Sequence, residues 1–449
     1  MTAKTFLAKL NTLAATPGKK DKLEIVKSFD EIDLALAKAA LDPTINYYIA
    51  KLDPVVPSEV RLQFDDAEWG LISALSRREI TGGDALRMVG FHLHDLHPDD
   101  GEVLRRVILK DLRAGIGAST VNKAFPGTVP EFAYCRCSLP KASDIDKWDW
   151  SLGVYVQLKA DGSFCRAART HEGVTFTTRQ GNTYPDIPAL AKLTEDAMWC
   201  LKPGTETHGE LTIWVNGELQ PRTIGNGMLN SLQQGGNLPP GAEIRFDCWD
   251  QIPLEFAVPK GRVKTPYTLR YDLLKDQVET AGRSSIMLIE GSVVHSKDEA
   301  LAMYRGFLAR GLEGAIVKHP LMEWLDGDSP RQVKFKLEVD VDLEIVGFNP
   351  GTPGTRTEAT FGSVKVQSLD GLLEADVAGF KREMEQYLHE NRDSVLGKVL
   401  CVRANAIAYP SESNPKHSLF HPRFVELRGD KYEADTLGSV KAQFEAAVA

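Results

Sequence analysis

The segment Gln157-Leu158-Lys159-Ala160-Asp161-Gly162 sets a lysine two residues before an aspartate and beside an Asp-Gly pair. It ends a stretch in which Leu152, Val154, Val156 and Leu158 alternate with Gly153, Tyr155, Gln157 and Lys159. That period of two is a strand pattern, so the amine is expected at a strand end. A lysine attacks an electrophile such as phosphorus only as the neutral amine, and burial and nearby cations favour that form. Lys334 and Lys336, two apart on one face of another predicted strand, can supply such charge. The same cations would stabilise negative charge on phosphates in a transition state. Glu210, after Gly209, and Glu313, before Gly314, are hard oxygen groups suited to organising magnesium, directly or through water.

Each of these signals is weak alone. With each residue near ~6% usage, about 0.1 chance Lys-x-Asp-Gly matches are expected in a chain this long. The lysine pairs also read as edge-strand protection, and the Asp-Gly as a hairpin turn. Their number and order carry the argument.

The elements that must position them begin with a helical section to about residue 132. Residues 22–40 place Leu23, Val26, Ile32, Leu34 and Leu36 among charged residues, an amphipathic pattern. A clearer helix follows Pro98, with Asp99 and Asp100 placed to cap its first turn. In it Leu104, Val107, Ile108 and Leu112 should face a core, while Arg105, Arg106, Lys110 and Arg113 take other directions. Gly115-Ile116-Gly117 breaks the helix, and a short one runs from Ser119 until Pro126. A basic helix, a Gly-x-Gly turn and a new helix N-terminus suit a DNA backbone; a solvated hairpin is the plainer alternative. After a connector at 130–143, strands are expected at 173–178, 211–215, 243–249, 315–318 and 332–337, with helices near 187–193 and 298–310. This is an α+β body. From residue 341 a smaller β-rich unit has strands at 343–348, 363–367 and 398–404 and a helical insert at 378–391, the size of a closed barrel of the oligonucleotide-binding type.

At 449 residues the chain exceeds what one core organises, so two or three domains are expected. No apolar run approaches the ~20 residues of a membrane span, and residues 1–9 lack the apolar core of a secretory signal. A cytoplasmic location is the expectation. Six scattered cysteines give no zinc-ligand spacing and read as reduced thiols. The net charge of −9 opposes a nucleic-acid partner on average. Between residues 103 and 123, however, Arg105, Arg106, Lys110, Arg113 and Lys123 face Asp111 alone, a local charge of +4.

The ordered set resembles the covalent nucleotidyltransferase superfamily, and within it the ATP-dependent DNA ligases, especially those of T-even bacteriophages. It comprises Lys159-x-Asp161-Gly162, Arg179 with Gly181 and Tyr184, Gly209-Glu210, Phe246 with Trp249-Asp250, Leu312-Glu313-Gly314 with Lys318, Lys334-Phe335-Lys336, and Arg428-Gly429-Asp430-Lys431. Glu102 to Val107 and Asn122-Lys123-Ala124-Phe125-Pro126-Gly127 share the likeness, so it spans essentially the whole chain. It implies an all-α DNA-binding domain (1–132), an adenylation domain (133–338) and an OB-fold β-barrel domain (339–449). It implies ATP and Mg2+ as cofactors, nicked duplex DNA as partner, a monomer, and roles in replication, repair and recombination, in a host cytoplasm if the source is a phage. Lys159 would take AMP from ATP, pass it to the 5′-phosphate of a nick, and the 3′-hydroxyl would then displace AMP. By the same likeness Trp249 stacks on adenine opposite Ile316, Gln157 reads the adenine edge, Arg179 meets phosphates, and Glu210 also contacts the ribose. Asp161, Gly162 and Lys318 line the nucleotide site, and Arg428, Asp430 and Lys431 approach the β,γ-phosphates when the C-terminal domain closes.

Two positions depart from the pattern. Phe164 stands where arginine is usual, and Arg166, pointing the same way on a strand, is expected to make the lost nick contact; an Arg166→Ala enzyme with unchanged nick sealing and affinity would refute this. His208 stands where aspartate commonly precedes Gly-Glu. The rival readings are an RNA ligase, a capping guanylyltransferase, or a DNA-binding protein with an inactive pocket. The helical beginning argues against the first two, and the intact lysine and glutamates against the third. The absence of a four-cysteine zinc module disfavours an NAD-dependent ligase.

Overall fold

The computed structural model describes residues 3–140, 143–233, 236–352, 357–410 and 414–448. Contacts divide the chain into two compact units, residues 1–132 with 177–183, and residues 133–176 with 184–449.

The first unit is helical: Ala3–Ala15, Lys19–Val26, Glu31–Leu41, Asp66–Ser76, Gly82–Asp95, Pro98–Ile108 and Ala118–Ala124. The single helix expected over 22–40 is two, because the Asp30 carboxylate accepts the Asp33 N–H and starts a new helix with a capping box. The Pro98 helix is capped by His97, two residues before the expected Asp99. The Asp99 N–H donates to His97 Nδ1 at 3.2 Å, while Asp100 is buried and accepts the Phe64 N–H. Leu104, Val107, Ile108 and Leu112 face the core as their spacing requires. Each contributes about 2 kcal/mol of burial.

Among the described residues the second unit contains three large sheets and two small two-stranded ones, Trp324–Leu325 with Arg262–Val263 and Ala406–Ala408 with Ser418–Phe420. In the first, strands run in the order Cys135–Ser138, Gly327–Lys336, Gly314–Lys318, Val154–Leu158 and Gly291–Val294. The second is built on Ser163–Arg169, Thr205–Val215 and Ala242–Pro253, flanked by Val174–Thr178 and Ile286–Leu288. Helices Pro188–Cys200 and Tyr267–Ala281 contribute to its apolar core. The third runs Glu374–Val377, Ser363–Gln367, Val339–Asn349, Val399–Ala404 and Arg423–Leu427. The expected closed barrel is not formed among the described residues. The sheet is an open path whose edge strands meet only through a single bridge, Ala378 to Arg423, because the chain after Val377 leaves to form the helix Arg382–Glu390.

All six cysteines are free thiols. Burial pushes the Cys135 thiol up to about 12 and those of Cys200 and Cys401 up to about 11, against an ordinary value of 9.0. These groups stay protonated in the fold and ionise once unfolded above pH 9, so each loses about 1.4 kcal/mol of stability per pH unit across that window. Lys318 and Lys110 act oppositely: burial pushes each down to about 8 from 10.5, so their contributions rise with pH between those values. Three thiols outweigh two lysines. Urea unfolding followed by tryptophan fluorescence should therefore show stability falling between about pH 9 and pH 11. A flat profile there would contradict the protonated burial of these thiols.

Candidate active site

The amine of interest is placed by strand register. Val154–Leu158 pairs antiparallel with Gly314–Lys318, which pairs antiparallel with Gly327–Lys336. Gln157, Ile316 and Lys334 are directly opposite one another and share one face of the sheet. Tyr155, Lys318 and Gln332 form the next row on that face. The alternate residues Val154, Val156, Ala315, Val317, Val333 and Phe335 face an apolar core on the other side. Lys159 follows the strand and continues the site face, its N–H donating to the Gly314 carbonyl oxygen at 2.9 Å. Gly314 has φ +146°, and a Cβ there would lie 2.3 Å from the Phe335 carbonyl oxygen. Only glycine lets the strands approach this closely beside Lys159 and Lys336.

The charges converge on the same place. Lys159 Nζ pairs with Glu313 Oε1. The other carboxylate oxygen, Glu313 Oε2, is buried without a hydrogen-bond partner among the described residues. Such an orphaned anionic oxygen beside a lysine suits a divalent cation. Lys336 Nζ lies 3.1 Å from Glu338, which also accepts from Arg423 at 2.8 Å. Burial pushes the Cys137 thiol up, and Lys318, Lys334 and Lys159 oppose that rise, so all three ammonium groups lie near one point on the sheet.

The second sheet supplies the facing residues. Glu210 is opposite Phe164, and His208 opposite Arg166. A Cβ on Gly162 would lie 2.4 Å from the Leu211 carbonyl oxygen and 2.9 Å from Glu210 Cγ, so the Asp161-Gly162 turn packs directly against Glu210. Phe164 packs edge-on to Tyr134 at 4.7 Å and lies 6.0 Å from the Trp249 ring and 6.1 Å from His208. His208 Nε2 donates to Glu206 Oε1 at 2.8 Å. Trp249 occupies a β-bulge, since Asp250 pairs with His208 but Cys248 pairs with Gly209. Its neighbour Asp250 holds the buried Arg270 through two oxygens, at 2.8 and 2.9 Å.

Several expected roles change with these placements. Lys318, expected among the nucleotide contacts, is 2% exposed and donates to the Tyr267 hydroxyl at 3.2 Å. That hydroxyl lies 2.7 Å from the Trp249 carbonyl oxygen and 3.1 Å from Gln157 Oε1. Lys318 thus supports the floor around Trp249 and Gln157. Arg166, expected to reach a nick phosphate, is 4% exposed with Glu206 as its main charged neighbour; a guanidinium so enclosed offers no face to a phosphate. Arg179 is exposed and lies in the segment that clusters with the first unit.

The basic stripe is also largely committed. Arg105 donates to the Leu52 and Asp53 carbonyl oxygens, each at 3.1 Å. Arg106 is buried and donates to Glu102 at 2.8 Å and to the Leu112 carbonyl oxygen at 3.1 Å. Lys110 sits against the carbonyl oxygens of Ala39 and Asp42, and burial pushes it down to about 8. Arg113 lies 3.6 Å from Glu102. Lys123 alone of the five is exposed. Sequence spacing exposed the cations as a cluster but not their inward partners.

Tyr267 was not singled out from the sequence, although Tyr267, Arg270, Tyr271, Leu274 and Val278 recur at helical spacing after Pro266. Asp342 was also missed; it accepts from Arg428 and Lys431.

Residues 150–336 match the family model for the ATP dependent DNA ligase domain. The DNA ligases of Enterobacteria phages T4 and T6 are each 29% identical over 483 aligned residues, covering 97% of this chain and 98% of theirs. The solved structure of Pmar-Lig_PreS3 superposes with a TM-score of 0.74 at 21% identity, covering 96% of this chain and 100% of that one.

Proposed function

We propose that this chain, which matches the ATP dependent DNA ligase domain family model over residues 150–336, is an ATP-dependent DNA ligase that seals nicks in duplex DNA through AMP carried on Lys159. One observation supports that assignment most: Lys159 directly follows a strand and continues the sheet face that also bears Lys334, beside a glutamate with an oxygen unpartnered among the described residues. In the first step the neutral Lys159 amine forms a bond to the α-phosphorus of ATP, the bond to pyrophosphate breaks, and the amine proton is lost. AMP then passes to the 5′-phosphate of the nick, and the 3′-hydroxyl attacks that phosphate and releases AMP.

Lys334 and Lys336 offer positive charge to the phosphates as charge develops there. Glu313, with Glu210 across the site, would hold Mg2+, which when bound neutralises phosphate charge and orients the leaving group. Trp249 and Ile316 would enclose the adenine, with Gln157 at its edge. Arg428 and Lys431 of the C-terminal sheet would meet the β,γ-phosphates. That sheet, over residues 339–449, is read as a variant of the oligonucleotide-binding fold, and residues 1–132 as a DNA-binding domain in which Lys123 is the exposed cation of the basic stripe.

Mass spectrometry of the protein incubated with ATP and Mg2+ tests the reading. One added AMP on Lys159 is expected. An enzyme that joins nicks while never carrying AMP there would overturn it, and label from GTP alone would point to capping chemistry.

A further inference from the structure

Arg428 and Lys431 are held by carboxylates. Arg428 Nη1 lies 3.3 and 3.2 Å from the two oxygens of Asp342. Its Nε and Nη2 donate to the two oxygens of Asp430 at 2.9 and 3.0 Å. Lys431 Nζ donates to Asp342 Oδ2 at 2.9 Å and to Asp435 Oδ1 at 3.2 Å. Among the described residues Asp342 is therefore the one carboxylate that both cations share, and it is 8% exposed. It is fixed from behind: its N–H donates to Asp435 Oδ2 at 2.9 Å, and its carbonyl oxygen accepts the Asp435 N–H at 2.7 Å. Two cations against three carboxylates leave the cluster at a net charge of −1. A pair of cations meant to receive an anion is here saturated with anions.

A purely structural ion network is the plainer account, but it does not explain why both cations converge on one nearly buried acid. We propose that Asp342 is a positioning residue that holds Arg428 and Lys431 side by side and yields them to the β,γ-phosphates of a nucleoside triphosphate. The inference rests on the ligase reading above. Binding of the triphosphate is then an exchange of carboxylate for phosphate around two fixed cations. Asp342 sets the affinity for triphosphate low, and it takes the cations back when pyrophosphate departs.

Two variants separate charge from placement. Asp342→Asn keeps the shape and one acceptor oxygen but removes the charge. It should lower KM for ATP in lysyl-AMP formation, and KM for pyrophosphate in the reverse reaction, each about three- to tenfold. Asp342→Ala removes the hold as well, and its KM for ATP should lie above that of Asp342→Asn. A role in folding alone would not lower a KM. An Asp342→Asn enzyme with both KM values unchanged or raised overturns the inference. If that variant is too unstable to assay, Asp435→Asn should lower both KM values by a smaller factor, and an unchanged value there is equally fatal. Failure of the wild-type protein to form any AMP adduct would sink the ligase reading itself, whereas an adduct with unaltered KM values in the variants sinks only this inference.

Discussion

Lys159→Ala is expected to abolish the AMP adduct and to lower ATP-dependent joining by at least about ten-thousandfold, because the proposed phosphoramidate forms on that amine. The substitution should leave the fold intact. Lys159 lies beyond the strand, its backbone N–H remains available to Gly314, and its side chain contributes one ion pair at a partly exposed position. Joining of a nick already carrying AMP on its 5′-phosphate bypasses the missing step and should be largely retained. The two substrates assayed side by side check this, and equal loss on both would assign Lys159 to folding or DNA binding.

Glu313→Gln should slow lysyl-AMP formation by about thirty- to a hundred-and-sixtyfold, the net of the two effects. Two effects compete. The carboxylate pairs with the ammonium form of Lys159, so removing its charge eases the loss of a proton from the amine. A partly exposed ion pair contributes only about 1 kcal/mol, roughly fivefold. Against this stands the loss of the anionic oxygen that has no hydrogen-bond partner among the described residues and suits the proposed divalent cation; removing one such electrostatic group costs about 3–4 kcal/mol. The second effect wins. Single-turnover adenylation across a Mg2+ titration measures it, with the variant also needing more metal. A variant as fast as wild type would reduce Glu313 to a tether for Lys159.

Much of this was legible in the sequence because strand alternation is a strict rule. The period of two at residues 152–159 placed Gln157 and Lys159 on one face, and the structure keeps them there. Ala315–Lys318 and residues 332–337 were read as strands for the same reason, and their pairing brings Ile316 and Lys334 opposite Gln157. What the sequence withheld depends on partners far along the chain. Nothing near Lys110 announces that it caps the carbonyl oxygens of Ala39 and Asp42, some seventy residues earlier. Nothing near Arg428 announces Asp342. Arg166 obeyed the alternation and yet is buried, because direction on a strand does not say whether that face is covered. The split of the expected helix at Asp30 was readable in principle, since an aspartate with another three residues later is a start signal.

The extra residue at Trp249 has a consequence for which mutations this strand can tolerate. In an uninterrupted strand, neighbours point to opposite sides, so Trp249 and Asp250 could not both serve the side that carries Phe164, His208 and Glu210. The insertion resets the parity: Phe246 and Cys248 stay with the apolar layer, while the indole and the acid that clamps Arg270 emerge together. Shortening the chain by one residue here would restore strict parity and leave a place on that side for the indole or the acid but not for both, so loss of the Trp249 codon should remove the indole while Asp250 keeps its hold on Arg270.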